Sequence, residues 1–411
     1  MGAILILLAV GALIGAWMLA GTVPAMIYYG LQIMDARIFY AASCLICAVA
    51  SLSIGSSWTV AGTLGVGLMG VAFGLGLSPA VTAGAVVSGA YFGDKMSPLS
   101  DTTNLSPAVV GTDLFTHIRH MVWTTTPAFL TALLLFTVVG FGRHAQGDSA
   151  TLAETLATLE AGFHITPWAL LPLLVVFGLA MKKFPPLPTI LVGALLGGVM
   201  AVFLQPEVVI AFADSPGLAP WLAQLKGIWI ALATGYVSTT GNEAVDALLS
   251  RGGMDSMLTT IWLILCALAF GAVLAHAGML ERLIRGVIGW AKTTGSLVFS
   301  VVVSCIGINI VAADQYIAIV LPGRMFRAEF ERRGLHVKNL SRTLEDAGTM
   351  TSALVPWNTC GAYMAAALGV PTLSYAPFAF FNLLSPVVAV IYAMRNISIT
   401  RVGAGEPVPA K

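Results

Sequence analysis

Long stretches without a charge alternate along this chain with short polar interruptions. Long runs lack Asp, Glu, Lys and Arg altogether, among them 1–34, 38–93, 122–142, 293–313 and 347–394. A helix needs about 20 apolar residues to cross a hydrocarbon layer, so several of these runs span once and the longest more than once. The period-two alternation of a membrane barrel is absent. The pattern predicts an all-α polytopic membrane protein. In two places polar residues are packed together against apolar flanks: "GDKMSPLSDTTNLSP" (93–107) and "DAGTMTSALVPWNT" (346–359). Proline and clustered hydroxyls break a helix, and the freed backbone groups must face protein or a water-filled cavity. Two broken transmembrane helices are therefore expected. "IGINIVAADQYIAIVLPG" (306–323) predicts a re-entrant hairpin with Asn309, Asp314 and Gln315 at its small-residue turn, and Ser56 and Ser57 are the first-half counterparts.

The interruptions recur. "SIGSSWTVAG" (53–62) resembles "CIGINIVAAD" (305–314) at an offset of 252, which also carries Asp94 onto Asp346 and Ser100 onto Ser352. Between Gly307 and Asp346 lie Arg324, Arg327, Arg332, Arg333, Lys338 and Arg342, whereas the matching stretch from Gly55 to Asp94 carries no charge before its aspartate. Basic loops favour the cytoplasm, so the two connections are expected on opposite sides and the halves inverted, the arrangement of secondary transporters. The expected organisation is a first inverted repeat over 1–145, an external linker over 146–163, a second repeat over 164–400 and a tail over 401–411. Two spans (164–181 and 184–204) precede the repeated elements of the second half with no equivalent in the first, so the first repeat reads as lacking an N-terminal two-helix hairpin.

Composition narrows the class. The chain has 411 residues, 58% hydrophobic and 9% charged, against roughly 25% charged in a soluble domain. A net charge of +1 gives nucleic acid no footprint, and the partners expected are membrane lipid and small ions, with a homodimer left open. Cys44 and Cys47 form C-x-x-C without a second ligand pair and read as small packing residues. No basic region precedes the first apolar run, so the N-terminus is a poor signal peptide.

Unwound carbonyls, hydroxyls, amides and a carboxylate are the hard oxygen ligands that a small cation takes. Ser97, Ser100, Asp101, Thr102, Thr103 and Asn104 supply them within eight residues, just after Asp94. Asn309, Asp314, Gln315, Asp346, Thr349, Ser352 and Asn358 supply them in the second half. A carboxylate that accepts either a proton or Na+ makes an exchanger by competition alone, and Asp94, Asp101 and Asp314 are the foremost candidates. Lys95 either neutralises one of these acids or snorkels to the surface. His276 reads as a histidine satisfied by a backbone carbonyl, and Glu243 as an interfacial helix residue.

At these segments the chain resembles the NhaC-type sodium/proton antiporters of the ion transporter superfamily. The resemblance is carried by "SGAYFGDKMSPLSDTTNLSPAVVGTDLFTHI" (88–118), "TTGNEAVDALLSRGGM" (239–254), "AADQYIAIVLPGRMF" (312–326) and "EDAGTMTSALVPWNTCGAYM" (345–364). It implies a scaffold plus a mobile unit built from two re-entrant hairpins and two unwound helices, an elevator-type motion, and exchange of cytoplasmic Na+ for external H+ across the cytoplasmic membrane. It places ion-site roles on Asp94, Ser97, Ser100, Asp101, Thr102, Thr103, Asn104, Asp314, Gln315, Asp346, Thr349 and Asn358, and it implies no cofactor and no enzymatic activity. The same broad resemblance covers antiporters that move an organic anion or amino acid with Na+ and H+, such as malate for lactate. An intramembrane aspartyl protease would also need two membrane carboxylates. "YFGD" (91–94) matches half of that signature, but Asp346 lacks the expected glycine-rich context.

Overall fold

The computed structural model describes residues 2–141, 149–289 and 291–402. Among them, six helices are long and apolar enough to cross a membrane, and two sharply bent pairs raise the number to eight. The chain is thus a helical multi-pass membrane protein, as its apolar runs predict. The expected boundary at 145 and most of the expected 401–411 tail lie outside the described residues.

The first half begins with α1 (Gly2–Leu19), apolar on every side and largely buried. α2 (Phe39–Ile54) and α3 (Ser57–Gly74) form a hairpin whose tip is Gly55–Ser56. α4 (Pro79–Met96) starts on a proline, whose missing N–H costs nothing in the first turn. It stops at Ser97, and the chain resumes as α5 (Asp101–Val110) and α6 (Leu114–Phe141). After α7 (Pro186–Leu204) and α8 (Asp255–His276) the pattern returns. α9 (Thr294–Val311) and α10 (Gln315–Arg332) form a second hairpin, and α11 (338–352) is broken from α12 (Thr359–Leu368) before α13 (Phe380–Met394) closes the bundle. α1 lies along α7, α2 along α4 and α6 along α13, while α5 is held between α10 and α11. α6 and α8 leave most of their apolar surface outward, as lipid contact requires. His276 ends α8 exposed, and Glu243 is exposed in the first turn of its short helix.

The two halves repeat the same local structures at a constant separation of 258 residues. Both hairpin tips hold a residue with positive φ, Gly55 at 76° and Ala313 at 57°. Each next residue caps the following helix, the Ser56 Oγ accepting from Thr59 N–H and the Asp314 carboxylate from Ile317 N–H at 3.0 Å. Ser51 Oγ donates to the Ala90 carbonyl, and Asn309 Nδ2 donates to the Gly348 carbonyl at 2.7 Å. Ser100 and Asn358 begin the resumed helices, which Gly111 and Gly369 both end in the left-handed region.

The offset of 252 is therefore six residues short. It matches Gly55 with Gly307, but Gly55 sits in a left-handed turn while Gly307 lies inside α9. At 258, Asp94 corresponds to Ser352 rather than to Asp346. The side chains that made 252 attractive are alike; the backbone positions are not.

α2 and α4 approach through glycines four apart, the small-xxx-small spacing that lets helix backbones touch. A Cβ on Gly93 would lie 2.0 Å from Ser51 Oγ and 2.2 Å from its carbonyl carbon, and one on Gly89 would lie 2.1 Å from the Cys44 carbonyl oxygen. Gly93→Ala should therefore destabilise the purified protein by roughly 1–3 kcal/mol or more, the cost of an overpacked contact. Gly307→Ala, with nothing within 4 Å of its Cβ, should be neutral or raise the melting temperature through helix propensity. Melting curves of the two variants in detergent check both outcomes.

Candidate functional site

The break between α4 and α5 and the tip of the first hairpin meet. A Cβ on Gly55 would lie within 3.0 Å of Leu99 and of Ser100 N, so the tip is pressed into the gap between the helices. Asp94, in the last turn of α4, faces Ser57, the first residue beyond the tip. Its carboxylate accepts from Ser57 N–H at 3.0 Å and from the Ser57 hydroxyl. The Asp94 carbonyl accepts from Thr102 Oγ1 at 3.0 Å and from Thr103 Oγ1, so α5 satisfies an acceptor at the end of α4. Ser100 and Thr102 hydroxyls lie 3.1 Å apart. The Ser97 Oγ accepts from Leu99 N–H, and Asn104 Nδ2 donates to the Pro98 and Ser100 carbonyls.

The same geometry in the second half carries different chemistry. Ser352 Oγ donates to Gln315 Oε1 at 3.1 Å, in the place of the Ser57–Asp94 contact. Asn358 caps α12 and donates from Nδ2 to Asn309 Oδ1 at 3.0 Å, and Thr359 N–H reaches the Ala313 carbonyl at the hairpin tip. Cys360 Sγ also lies on Gln315 Oε1, and the Tyr91 hydroxyl stands 3.4 Å from Ser352 Oγ. One half thus presents a carboxylate with hydroxyls, the other a set of neutral amides and hydroxyls.

The sequence-predicted residues divide accordingly. Asp94, Ser97, Ser100, Thr102 and Thr103 are buried around the first break, and Asn309, Gln315, Thr349, Ser352 and Asn358 around the second. Asp314 is half-buried at its tip, and Asp101 and Asn104 are exposed at the start of α5. Tyr316 lies within electrostatic reach of Asp94, Asp101 and Asp314, so the three acids flank a single region. Among the described residues no three His, Cys, Asp or Glu side chains converge. A cation held here would draw mainly on hydroxyl, amide and carbonyl oxygens around one carboxylate.

Lys95 does not snorkel. It is fully buried and ion-paired with Asp346, which also accepts from Thr124 Oγ1 at 3.1 Å. Lys95 Nζ donates to Ser385 Oγ at 3.2 Å and stands 5.3 Å from the centre of the Phe381 ring. Asp346 is thereby held by a lysine of the other half rather than left open to the break. Sequence reasoning missed this pairing, because 251 residues separate the partners. It also missed Ser57 as a partner of Asp94. Glu345 went unnoticed as well: it is fully buried and accepts from Ser106 Oγ and, at 2.8 Å, from Thr349 Oγ1. The only signal for it was an acid next to another acid at the edge of an uncharged run.

Comparison with known proteins finds sequence similarity along nearly the whole chain. Residues 89–397 match the Na+/H+ antiporter family. The chain is 41% identical over 398 residues to the Na(+)/H(+) antiporter NhaC of Alkalihalophilus pseudofirmus, covering 96% of this chain and 82% of that one. It is 37% identical over 389 residues to the Na(+)/H(+) antiporter NhaC of Bacillus subtilis, covering 94% and 83%. It is 38% identical over 397 residues to the malate-2H(+)/Na(+)-lactate antiporter of Bacillus subtilis, covering 95% and 80%.

Lys95→Met leaves Asp346 buried without its counter-charge and should cost roughly 3–5 kcal/mol of stability. The double variant Lys95→Met, Asp346→Leu should recover most of that loss. Melting curves of the single and double variants measure the coupling, and strictly additive losses would contradict it.

Proposed function

The chain belongs to the Na+/H+ antiporter family, and on that basis we propose that it exchanges cytoplasmic Na+ for external H+ across the cytoplasmic cell membrane. The observation that carries this reading is Asp94, a buried carboxylate at a helix break whose partners are the amide and hydroxyl of Ser57 and no cation. Such a group accepts either ion. Na+ takes the carboxylate with the Ser57, Ser100 and Thr102 oxygens, and a proton neutralises the same carboxylate when Na+ leaves. Because one site serves both ions, the apparent affinity for Na+ falls as the pH falls.

In this reading the two hairpins are re-entrant, the repeats are inverted about the membrane plane, and the unit that carries the breaks moves against the rest in an elevator manner. Asp101 and Asp314 border the path, and the Gln315, Ser352, Asn309 and Asn358 amides and hydroxyls form its neutral side. Asp346 and Thr349 act behind it.

A second reading is exchange coupled to an organic anion or amino acid, which the name of the malate-lactate relative supports. An organic carboxylate needs a free cation or helix N-terminus at the site. The buried lysine nearest the break is engaged with Asp346, so an organic carboxylate would have to rely on the N-termini of α5 and α12.

Proteoliposomes with an imposed Na+ gradient and a trapped pH dye test the proposal. Wild-type protein should move protons with no organic solute present, and Asp94→Asn should fall to the level of empty liposomes while keeping its melting temperature. Asp101→Asn, at the exposed rim, is also expected to abolish exchange. Wild-type flux in Asp94→Asn, or flux only after an organic acid is added, would overturn the reading.

A further inference from the structure

We propose that Glu345 forms a second monovalent-cation site, distinct from the Asp94 site and separated from it by the first turn of α5. This rests on the exchange reading above and adds a residue to it. Glu345 opens a π-helical turn (Glu345–Thr349), a deviation that widens a helix locally and recurs at functional positions. The turn brings Thr349 Oγ1 onto one carboxylate oxygen, while Ser106 Oγ, from the other half, lies on the second. The Thr102 hydroxyl stands beside the same carboxylate. One carboxylate and three hydroxyls, all buried, make a compact shell of hard oxygens.

Charge pairing explains why a cation belongs there. Among the described residues Lys95–Asp346 is the one ion pair with both side chains fully buried. Arg342, also buried, reaches away to the Ser398 carbonyl and lies within electrostatic reach of Asp346. Asp94 and Glu345 are left with hydroxyl and amide partners and no contacting cation, although they lie within electrostatic reach of each other. Two uncompensated carboxylates in an apolar interior repel, and each is costly alone. Ser106 and Thr349 now donate to the carboxylate, while Thr102 gives its proton to the Asp94 carbonyl and keeps its lone pairs free for the shell. Rotating the Ser106 and Thr349 O–H about the C–O bond turns a lone pair toward the carboxylate, so the same hydroxyls can serve a cation in place of the bare carboxylate. Thr102 touches both neighbourhoods through its bond to the Asp94 carbonyl and its place beside Glu345, so occupancy of one site is felt at the other.

Equilibrium binding of radiolabelled Na+ to the purified full chain decides this. Wild type should bind two Na+ per chain, and its exchange rate should rise with a Hill coefficient above one. Glu345→Gln, which keeps an acceptor for Ser106, should bind one Na+ and lose the sigmoidal dependence; Asp94→Asn should also bind one, and the double variant none. Glu345→Asp should keep two sites with the second weakened, and melting in Na+-free buffer controls for folding. Two Na+ bound to a folded Glu345→Gln variant, or one bound to wild type, would overturn the second site and leave the exchange reading intact. No Na+ bound by wild type would instead overturn the exchange reading itself.

Discussion

A helix that stops inside an apolar interior leaves up to four carbonyls and four amides without partners at the cut. This chain makes two such cuts, after Met96 and after Ser352, and much of the core is built to satisfy them. Ser97 and Asn104 turn their side chains onto the local backbone, and Thr102 and Thr103 reach back to the Asp94 carbonyl. At the second cut Asn358 caps the resumed helix and the opposing hairpin supplies the Ala313 carbonyl to Thr359 N–H. The residues that repair the backbone are also the ones from which the proposed cation site is drawn. In the proposed exchange, repair and binding draw on a single set of groups, and loading a cation rearranges hydrogen bonds already present.

Charge then fixes how the halves meet. Lys95 follows Asp94 directly, yet the two side chains take opposite courses: Asp94 turns to the hairpin of its own half and Lys95 to Asp346 of the other. The Lys95–Asp346 pair, the Ser106–Glu345 bond and the stacked Trp58 and Tyr363 rings, 4.1 Å between centres, tie the first half to the second at three points. An isolated lysine at this depth would carry a desolvation cost that only a paired carboxylate offsets. The pair therefore specifies which faces of α4 and α11 are brought together.

Much of this was legible in the chain itself. The uncharged runs gave the spans, and Pro98 with its flanking hydroxyls gave the first break. What could not be read was pairing across the halves. Nothing near Lys95 in sequence points to a partner 251 residues away, and Ser57 looks like any small residue at a turn. Glu345 stands at the end of a basic connection, and nothing beside it in sequence points to its partner Ser106, 239 residues away. The register of the repeat failed for a related reason. Like residues at unlike backbone positions, Gly55 and Gly307, outweighed unlike residues at like positions, Gly55 and Ala313.

The glycine contact between α2 and α4 has a mechanical meaning. Helices separated by a layer of side chains can slide, because rotamers re-choose as the surfaces shift. Backbone against backbone has no such slack: Gly89 rests on the Cys44 carbonyl, Gly93 on Ser51, and the Ser51 hydroxyl bonds the Ala90 carbonyl between them. The hairpin arm and the helix that carries Asp94 are a single stiff member. Gly93, one residue before Asp94, is thereby fixed to the α2 arm that leads into the Gly55 tip, and the two shift together or not at all.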